Sequence, residues 1–314
     1  MVLDNSSTSL DGATALVTGA SGFIGSHLCD ELVARGVRVS AVSRARKDES
    51  AAAVQWIQAD LVDVAAVKRI VQDCNPDLVF HLASWVSGSR DRGALRRAFD
   101  GNLLTTVNLL DALTAADCRR LILAGSLEEP FDDPATAIPG SPYAVAKWAS
   151  SAYARMCQAL YGTPAVIART FMVYGPGQQD LNKVLPYVTL SLLRGESPQL
   201  GSGLRPVDWI YVGDVVEGLI IMGAADGIDG ETLDLGSGAL ITIRDFVLQL
   251  ARLVGAETTP RFGAMSDRPL EQVRVADIER TYERVGWRPA TSAGDGLRYL
   301  VDWCRNLTES TSQA

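Results

Sequence analysis

Histidine is nearly absent from this chain, which holds two, His27 and His81. The cysteines Cys29, Cys74, Cys118, Cys157 and Cys304 are dispersed, with no paired ligand spacing. Together these exclude a His/Cys metal centre, and no metal is expected. An odd, scattered set of thiols also excludes a disulfide framework and suits a reducing compartment, so a cytoplasmic location is expected. No apolar run reaches membrane-spanning length, and the polar Met1 to Gly12 stretch does not read as a signal peptide. Dense basic runs are missing too. Arg90, Arg92, Arg96 and Arg97 are interrupted by Asp91 and Gly93 and read as a solvated helix start. With a net charge of −8, neither a nucleic acid nor a membrane is an expected partner.

What is present is a regular alternation. Apolar, β-branched runs occur at Ala13–Thr18, Val37–Ser43, Val54–Ile57, Leu78–Leu82, Leu121–Ala124 and Ala165–Arg169. Helix-like stretches separate them, at Phe23–Arg35, Val64–Asp73, Arg92–Ala116 and Tyr143–Tyr161. Strands that read as unbroken apolar runs are buried on both faces, so an α/β fold with a doubly wound parallel sheet (Rossmann type) is expected. After Thr170 the rhythm breaks at the turn cluster Tyr174-Gly175-Pro176-Gly177. Helices are then expected at Asn182–Arg194, Gly213–Ala224 and Ile243–Leu253, and strands at Val207–Val212 and Thr232–Leu235. The expected division is a dinucleotide-binding domain over residues 1–170 and a smaller α/β substrate-binding region over 171–314.

Gly19-Ala20-Ser21-Gly22-Phe23-Ile24-Gly25 follows an expected strand and opens an expected helix, the context that separates a phosphate cradle from a chance glycine match. Gly19 suits a tight turn, Gly22 a close approach to a pyrophosphate, and Gly25 close helix–strand packing. The first-turn N–H groups, including those near Ser21, Phe23 and Ile24, then face anionic phosphates. The second strand ends at Ser43-Arg44-Ala45-Arg46, with no Asp or Glu for a ribose 2′-hydroxyl. Arg44 and Arg46 suit a 2′-phosphate instead, so NADP(H) is expected over NAD(H). Asp60, followed by Leu61, would touch the adenine or cap a helix. Leu82, Ala83 and Ser84 follow His81 at the strand edge where such cofactors lie, with His81 itself a structural histidine.

Tyr143 and Lys147 stand four residues apart and share a helix face. An ammonium beside a phenol favours the phenolate, so the pair reads as a proton donor and acceptor for ketone reduction or alcohol oxidation. Ser126 ends the fifth strand at the same sheet edge, placed to bond the reacting oxygen. Asn102 is a candidate to orient Lys147 or simply a polar residue on a helix face.

These pieces, with Ser141-Pro142-Tyr143-Ala144-x2-Lys147, Tyr211-Val212-x-Asp214-Val215 and Gly286-Trp287, resemble an extended short-chain dehydrogenase/reductase of the nucleotide-sugar epimerase/dehydratase group. The resemblance implies a Ser126/Tyr143/Lys147 catalytic set, a small-molecule substrate held by the C-terminal half, and a homodimer formed through the helices carrying Asn102 and Tyr143. It also exposes departures. Met172 stands where the family commonly has a diphosphate-contacting Asn, and Val207 where it has Arg before the Asp-aromatic pair Asp208-Trp209. Arg205 or Arg268 would have to substitute. Leu127-Glu128-Glu129-Pro130 replaces the usual segment after Ser126. Glu128 matches a dehydratase base, or else Glu128 and Glu129 form a solvated acidic turn. The leading expectation is an NADPH-dependent reductase of a nucleotide-activated 4-keto-6-deoxysugar, with Ser84, Ser126 and Met172 near the substrate. The alternatives are an epimerase or 4,6-dehydratase that recycles its cofactor internally, a ketoreductase on a non-sugar natural product, and a non-catalytic NADP-sensing protein.

Overall fold

The computed structural model describes residues 10–45, 54–130 and 136–312. The strands are β1 (Thr14–Thr18), β2 (Arg38–Ser43), β3 (Val54–Gln58), β4 (Leu78–His81), β5 (Arg120–Ser126), β6 (Ala165–Thr170), β7 (Met172–Tyr174), β8 (Pro206–Tyr211), β9 (Thr232–Leu235) and β10 (Leu240–Thr242). The helices are α1 (Phe23–Ala34), α2 (Val64–Cys74), α3 (Arg92–Ala98), α4 (Thr105–Leu113), α5 (Pro142–Tyr161), α6 (Val184–Leu193), α7 (Val212–Ala224), α8 (Ile243–Val254), α9 (Ile278–Val285) and α10 (Ala293–Ser312). A π-helical segment, Phe99–Leu104, lies between α3 and α4.

The chain divides into two compact units. The first gathers the chain up to Arg169 with Val216–Leu233 and Arg280–Trp287. Thus two segments from the sequence's second half belong to the first unit. The second holds Thr170–Val215, Asp234–Glu279 and the chain from Arg288 on.

The main sheet is seven-stranded, in the order β3-β2-β1-β4-β5-β6-β9. Its pairings from β3 to β5 are parallel. All of β4 and β5 is buried, as their unbroken apolar runs require. One core layer joins Leu16, Val79 and Leu121 of the sheet to Val67, Leu109 and Ala154 of α2, α4 and α5. Each fully buried Val or Leu side chain among these contributes about 1.5–3 kcal/mol. Strand order reverses between β1 and β4, which are paired with Thr18 opposite His81. Ligands of doubly wound sheets bind outside the carboxyl ends of the strands at such a reversal.

In the second unit β7 pairs parallel and β10 antiparallel with β8. Trp209 stacks on Phe246, ring centroids 4.7 Å apart, inside a core shared with α6, α8 and α10. The buried Asp208 carboxylate accepts backbone N–H bonds from Ser237 (2.6 Å), Gly238 (3.0 Å) and Ala276 (3.0 Å).

Several elements differ from expectation, among them the unexpected strand β10. The single helix expected over Arg92–Ala116 is three segments, because the π-helical insertion turns Asn102 inward. The turn cluster at Tyr174 is preceded by a short strand, β7. Among the described residues, no helix is long and apolar enough to cross a membrane.

Candidate active site

The glycine turn connects β1 to α1 at the β1/β4 reversal. Gly19 has φ +69°, and a Cβ there would lie 2.6 Å from the backbone of Leu82 and Ala83. Gly22 caps α1 with no side chain of its own, and its N–H donates to the Gly19 carbonyl at 2.9 Å. The Ser21 and Ser43 hydroxyls are 3.4 Å apart, bringing the end of β2 to this turn. A side-chain-free helix N-terminus at a strand-order reversal fits a dinucleotide's phosphates. Gly19, Ser21, Gly22, Phe23, Ile24, Gly25 and Ser43 are the residues that would hold it.

Ser141 caps α5 by accepting the Ala144 N–H at 3.1 Å, and Pro142 starts the helix. This sets Tyr143 and Lys147 one turn apart against the end of β5. Lys147 Nζ donates to the Ala124 carbonyl at 2.8 Å and lies 6.0 Å from the centre of the Tyr143 ring. Both side chains are buried. Burial holds the Lys147 ammonium down to about 8, with Glu129 opposing that shift. Tyr143 shows the opposite balance to the one expected from its neighbour alone. Burial pushes its phenol above the ordinary range, the Ser126 and Ser84 hydroxyls favour the phenolate, and Glu128 and Glu129 disfavour it. Ser84, Ser126, Tyr143 and Lys147 are thus brought together.

Glu128 is tied to Ser126 and Ser141 and acts electrostatically on Tyr143. Its N–H donates to Ser126 Oγ at 3.2 Å, and its carboxylate accepts from the capping Ser141 hydroxyl at 3.3 Å. Glu129 is no solvated turn residue: it is 2% exposed, and its carboxylate accepts the Ser126 N–H at 2.8 Å. Gly125 leaves room for it: a Cβ there would come within 2.8 Å of the Glu129 carboxylate.

The Lys147 ammonium bonds the Ala124 carbonyl, whereas the side-chain partners of Asn102 lie elsewhere. Its side-chain carbonyl accepts from Ser84 Oγ (2.6 Å) and Trp85 N–H (2.9 Å), and its amide donates to the Ala98 carbonyl (3.0 Å). It therefore staples the loop after β4. Below it, Thr106 donates to the Asn102 carbonyl at 2.7 Å and so accepts from His81 Nε2 at 3.1 Å. His81 Nδ1 then accepts from Thr18 Oγ1 at 2.7 Å, fixing a neutral tautomer. Burial and Lys147 lower its pKa to about 3, against 6.5 in an unfolded chain. The unfolded state thus binds the extra proton, and stability is lost as pH falls below about 6.5. By pH 5 this one group is expected to cost about 2 kcal/mol. Urea unfolding at pH 7 and pH 5 checks it: a His81→Asn chain that keeps the full pH dependence would refute the assignment.

The remaining expected residues are less concentrated. Arg44 is exposed at the end of β2, its carbonyl accepting from Gln58 Nε2 at 3.1 Å, while Arg46 lies outside the described residues. Asp60 accepts the Val62 N–H at 3.0 Å, whereas Asp63 is the residue that caps α2. Leu61 sits in the core, with its carbonyl bonded to Asn108 Nδ2 at 2.9 Å. Within the second unit Met172 is paired opposite Trp209. Arg205 is held by Glu271 at 2.9 Å, and Arg268 is exposed. Among the described residues no acidic, His or Cys cluster is arranged to hold a metal ion.

A glycine turn at the reversal of a parallel sheet, with Ser, Tyr and Lys at the same edge, defines an enzyme of the extended short-chain dehydrogenase/reductase type. Residues 15–236 match the NAD dependent epimerase/dehydratase family, and the chain belongs to it. It is 29% identical to UDP-glucose 4-epimerase of Mycolicibacterium smegmatis, over 94% of this chain and 99% of that protein. It is 28% identical to dTDP-glucose 4,6-dehydratase of Xanthomonas campestris, over 93% of each. Its fold matches UDP-glucose 4-epimerase of Thermotoga maritima, solved with UDP-glucose, at a TM-score of 0.84 and 28% identity, over 94% of this chain and 99% of that one. UDP-glucuronic acid 4-epimerase of Bacillus cereus, solved with UDP-glucuronic acid and NAD, matches at 0.83 and 25% identity, over 94% and 99%.

Proposed function

We propose that this chain oxidises a nucleotide-activated sugar at C4 and returns the hydride to the sugar within the same catalytic cycle, to C4 as a 4-epimerase or to C6 with loss of water as a 4,6-dehydratase. The observation that carries this is the buried Tyr143 phenol with Ser126 and Lys147 around it at the sheet edge. The relatives' names supply the sugar-nucleotide class. A nicotinamide dinucleotide, when bound, supplies the hydride acceptor and donor. Everything else falls to the chain. Tyr143 removes the proton of the substrate hydroxyl, Ser126 bonds the same oxygen, and Lys147, anchored on Ala124, keeps positive charge beside the phenolate. In the dehydratase version Glu128, seated by Ser141, takes the C5 proton as the C6 hydroxyl leaves as water, and the proton Tyr143 took from the C4 hydroxyl is available to return to C5.

A keto-sugar reductase using NADPH is the second reading, favoured by the end of β2. Arg44 is exposed there, and the 2′-hydroxyl-binding acid is missing. The same feature supports NADP over NAD as cofactor. Tighter binding of NAD than of NADP overturns that preference. Incubation with UDP-glucose and with dTDP-glucose, and separately with NADPH and a nucleotide-activated 4-keto-6-deoxysugar, separates the two reactions. Product formed with no net change in reduced-nicotinamide absorbance supports the internal cycle, and net loss of NADPH supports the reductase.

Homodimer assembly belongs to the same reading. Val145, Tyr153, Met156 and Leu160 are exposed along one face of α5, with Leu95 exposed on α3. A sedimentation mass of one 33.6 kDa chain counts against it.

A further inference from the structure

Glu129 is a buried carboxylate that the proposed reaction leaves without a role. It lies on the turn after β5, folded back over Gly125, with its Oε1 accepting the Ser126 N–H at 2.8 Å. A Cβ on Gly125 would sit 2.8 Å from that oxygen and 2.8 Å from Ile167 Cγ2, so the cavity for the carboxylate exists because residue 125 is glycine. The charged and titratable groups facing Glu129 are the Arg169 guanidinium from β6 and the Lys147 ammonium and Tyr143 phenol from α5, with Glu128 next to it in the chain. Burial, the largest cause, raises the Glu129 carboxyl above its ordinary value, while the Ser126 N–H, Arg169 and Lys147 oppose that rise by favouring the anion. An apolar residue would fill the same space without that burial cost, so a carboxylate at this point has an electrostatic consequence.

We propose that Glu129 is a positioning residue for the reaction: its buried carboxylate fixes the Ser126 end of β5 and biases where the proton resides on the Tyr143/Lys147 pair. When ionised, Glu129 makes both groups hold their protons more firmly, because its charge stabilises the ammonium and opposes the phenolate. Glu129 thereby raises the pH at which the phenol becomes a base and keeps Lys147 charged at that pH. The proposal rests on the reading of Tyr143 and Lys147 as the proton-handling pair, and is independent of which sugar is bound.

Glu129→Gln tests it, because the amide oxygen still accepts the Ser126 N–H while the charge is gone. Phenolate absorbance is titrated in the holoenzyme loaded with NAD, using Tyr143→Phe to subtract the other tyrosines. The Tyr143 midpoint is expected to fall by about half a pH unit or more in Glu129→Gln. The rising limb of the turnover–pH profile should move with it. A group that only supports the fold would lower turnover at every pH and leave both midpoints in place. Should the Gln chain not fold, Glu129→Asp draws the charge back by one methylene and gives a smaller shift in the same direction. An unmoved midpoint in whichever variant folds overturns the proposal. No Tyr143-dependent step in the wild-type titration overturns both this proposal and the reading on which it rests.

Discussion

Tyr143→Phe is expected to slow turnover by about 10²–10⁴-fold, the range a positioned acid/base group contributes. Little else should change. The ring is 8% exposed and packed on α5, and phenylalanine keeps that packing. Lys147 keeps its bond to the Ala124 carbonyl, and Ser126 Oγ still accepts the Glu128 N–H. The lost hydroxyl is one whose proton burial holds in place, so its removal should alter stability by no more than about 1 kcal/mol. Single-turnover rates at saturating substrate isolate the chemical step, and cofactor binding to the same variant serves as the control. A substitution that only halves the rate while cofactor still binds would show that the phenol is not the proton carrier. Ser126→Ala is a less clean experiment. It also leaves the Glu128 N–H without its acceptor and loosens the turn that places both acids.

The elements legible in the sequence were those whose cause is local. The spacing from Tyr143 to Lys147 is a helical repeat, and Ser141-Pro142 is a helix start, so a shared face followed without tertiary information. The β4 and β5 runs are apolar throughout because the sheet is covered on both sides. What escaped was decided by distant partners. The break in the helix at Phe99–Leu104 serves Asn102, whose partners Ser84 and Trp85 lie in a loop far along the chain. Gly101 belongs to the same fit, since a Cβ there would meet Trp85 Cβ at 2.8 Å. The burial of Glu129 depends on β6 and α5 closing over it, and two adjacent acids on a turn carry no sign of that. The upward shift of Tyr143 has the same origin: proximity to Lys147 is visible in the spacing, whereas the loss of solvent is not. The interleaving of Val216–Leu233 and Arg280–Trp287 into the first unit is likewise a tertiary choice. Part of it is anchored where Arg284 reaches the Gly227 carbonyl at 2.6 Å and where Glu231 accepts from Arg280 at 3.3 Å.

The other large effect is expected from the smallest change, Gly25→Ala. By helix propensity alone the substitution should help, since alanine is favoured over glycine inside a helix by about 1 kcal/mol. Sterics reverse the sign. The added methyl would stand 2.2 Å from the Gly19 carbonyl oxygen, 2.8 Å from Ala20 Cα and 2.9 Å from the Gly19 carbonyl carbon. All three are backbone atoms, so no flexible side chain can yield, and α1 must move away from the turn. The Gly19 oxygen is also the acceptor of the Gly22 N–H, the bond that closes the turn. Overpacking of this kind costs about 1–3 kcal/mol, and an obstacle made only of backbone belongs at the upper end. The displaced N-terminus of α1 is the one that would face the phosphates, so cofactor affinity should fall at least about tenfold, equivalent to about 1.4 kcal/mol. Gly93→Ala is the matched control. It lies in α3, where an added Cβ meets nothing within 4 Å, and it should leave affinity alone and raise stability slightly. Calorimetric binding of NAD and of NADP to both variants measures the contrast. Wild-type affinity in Gly25→Ala would mean that the dinucleotide does not rest on this turn, and the active-site assignment would lose its foundation.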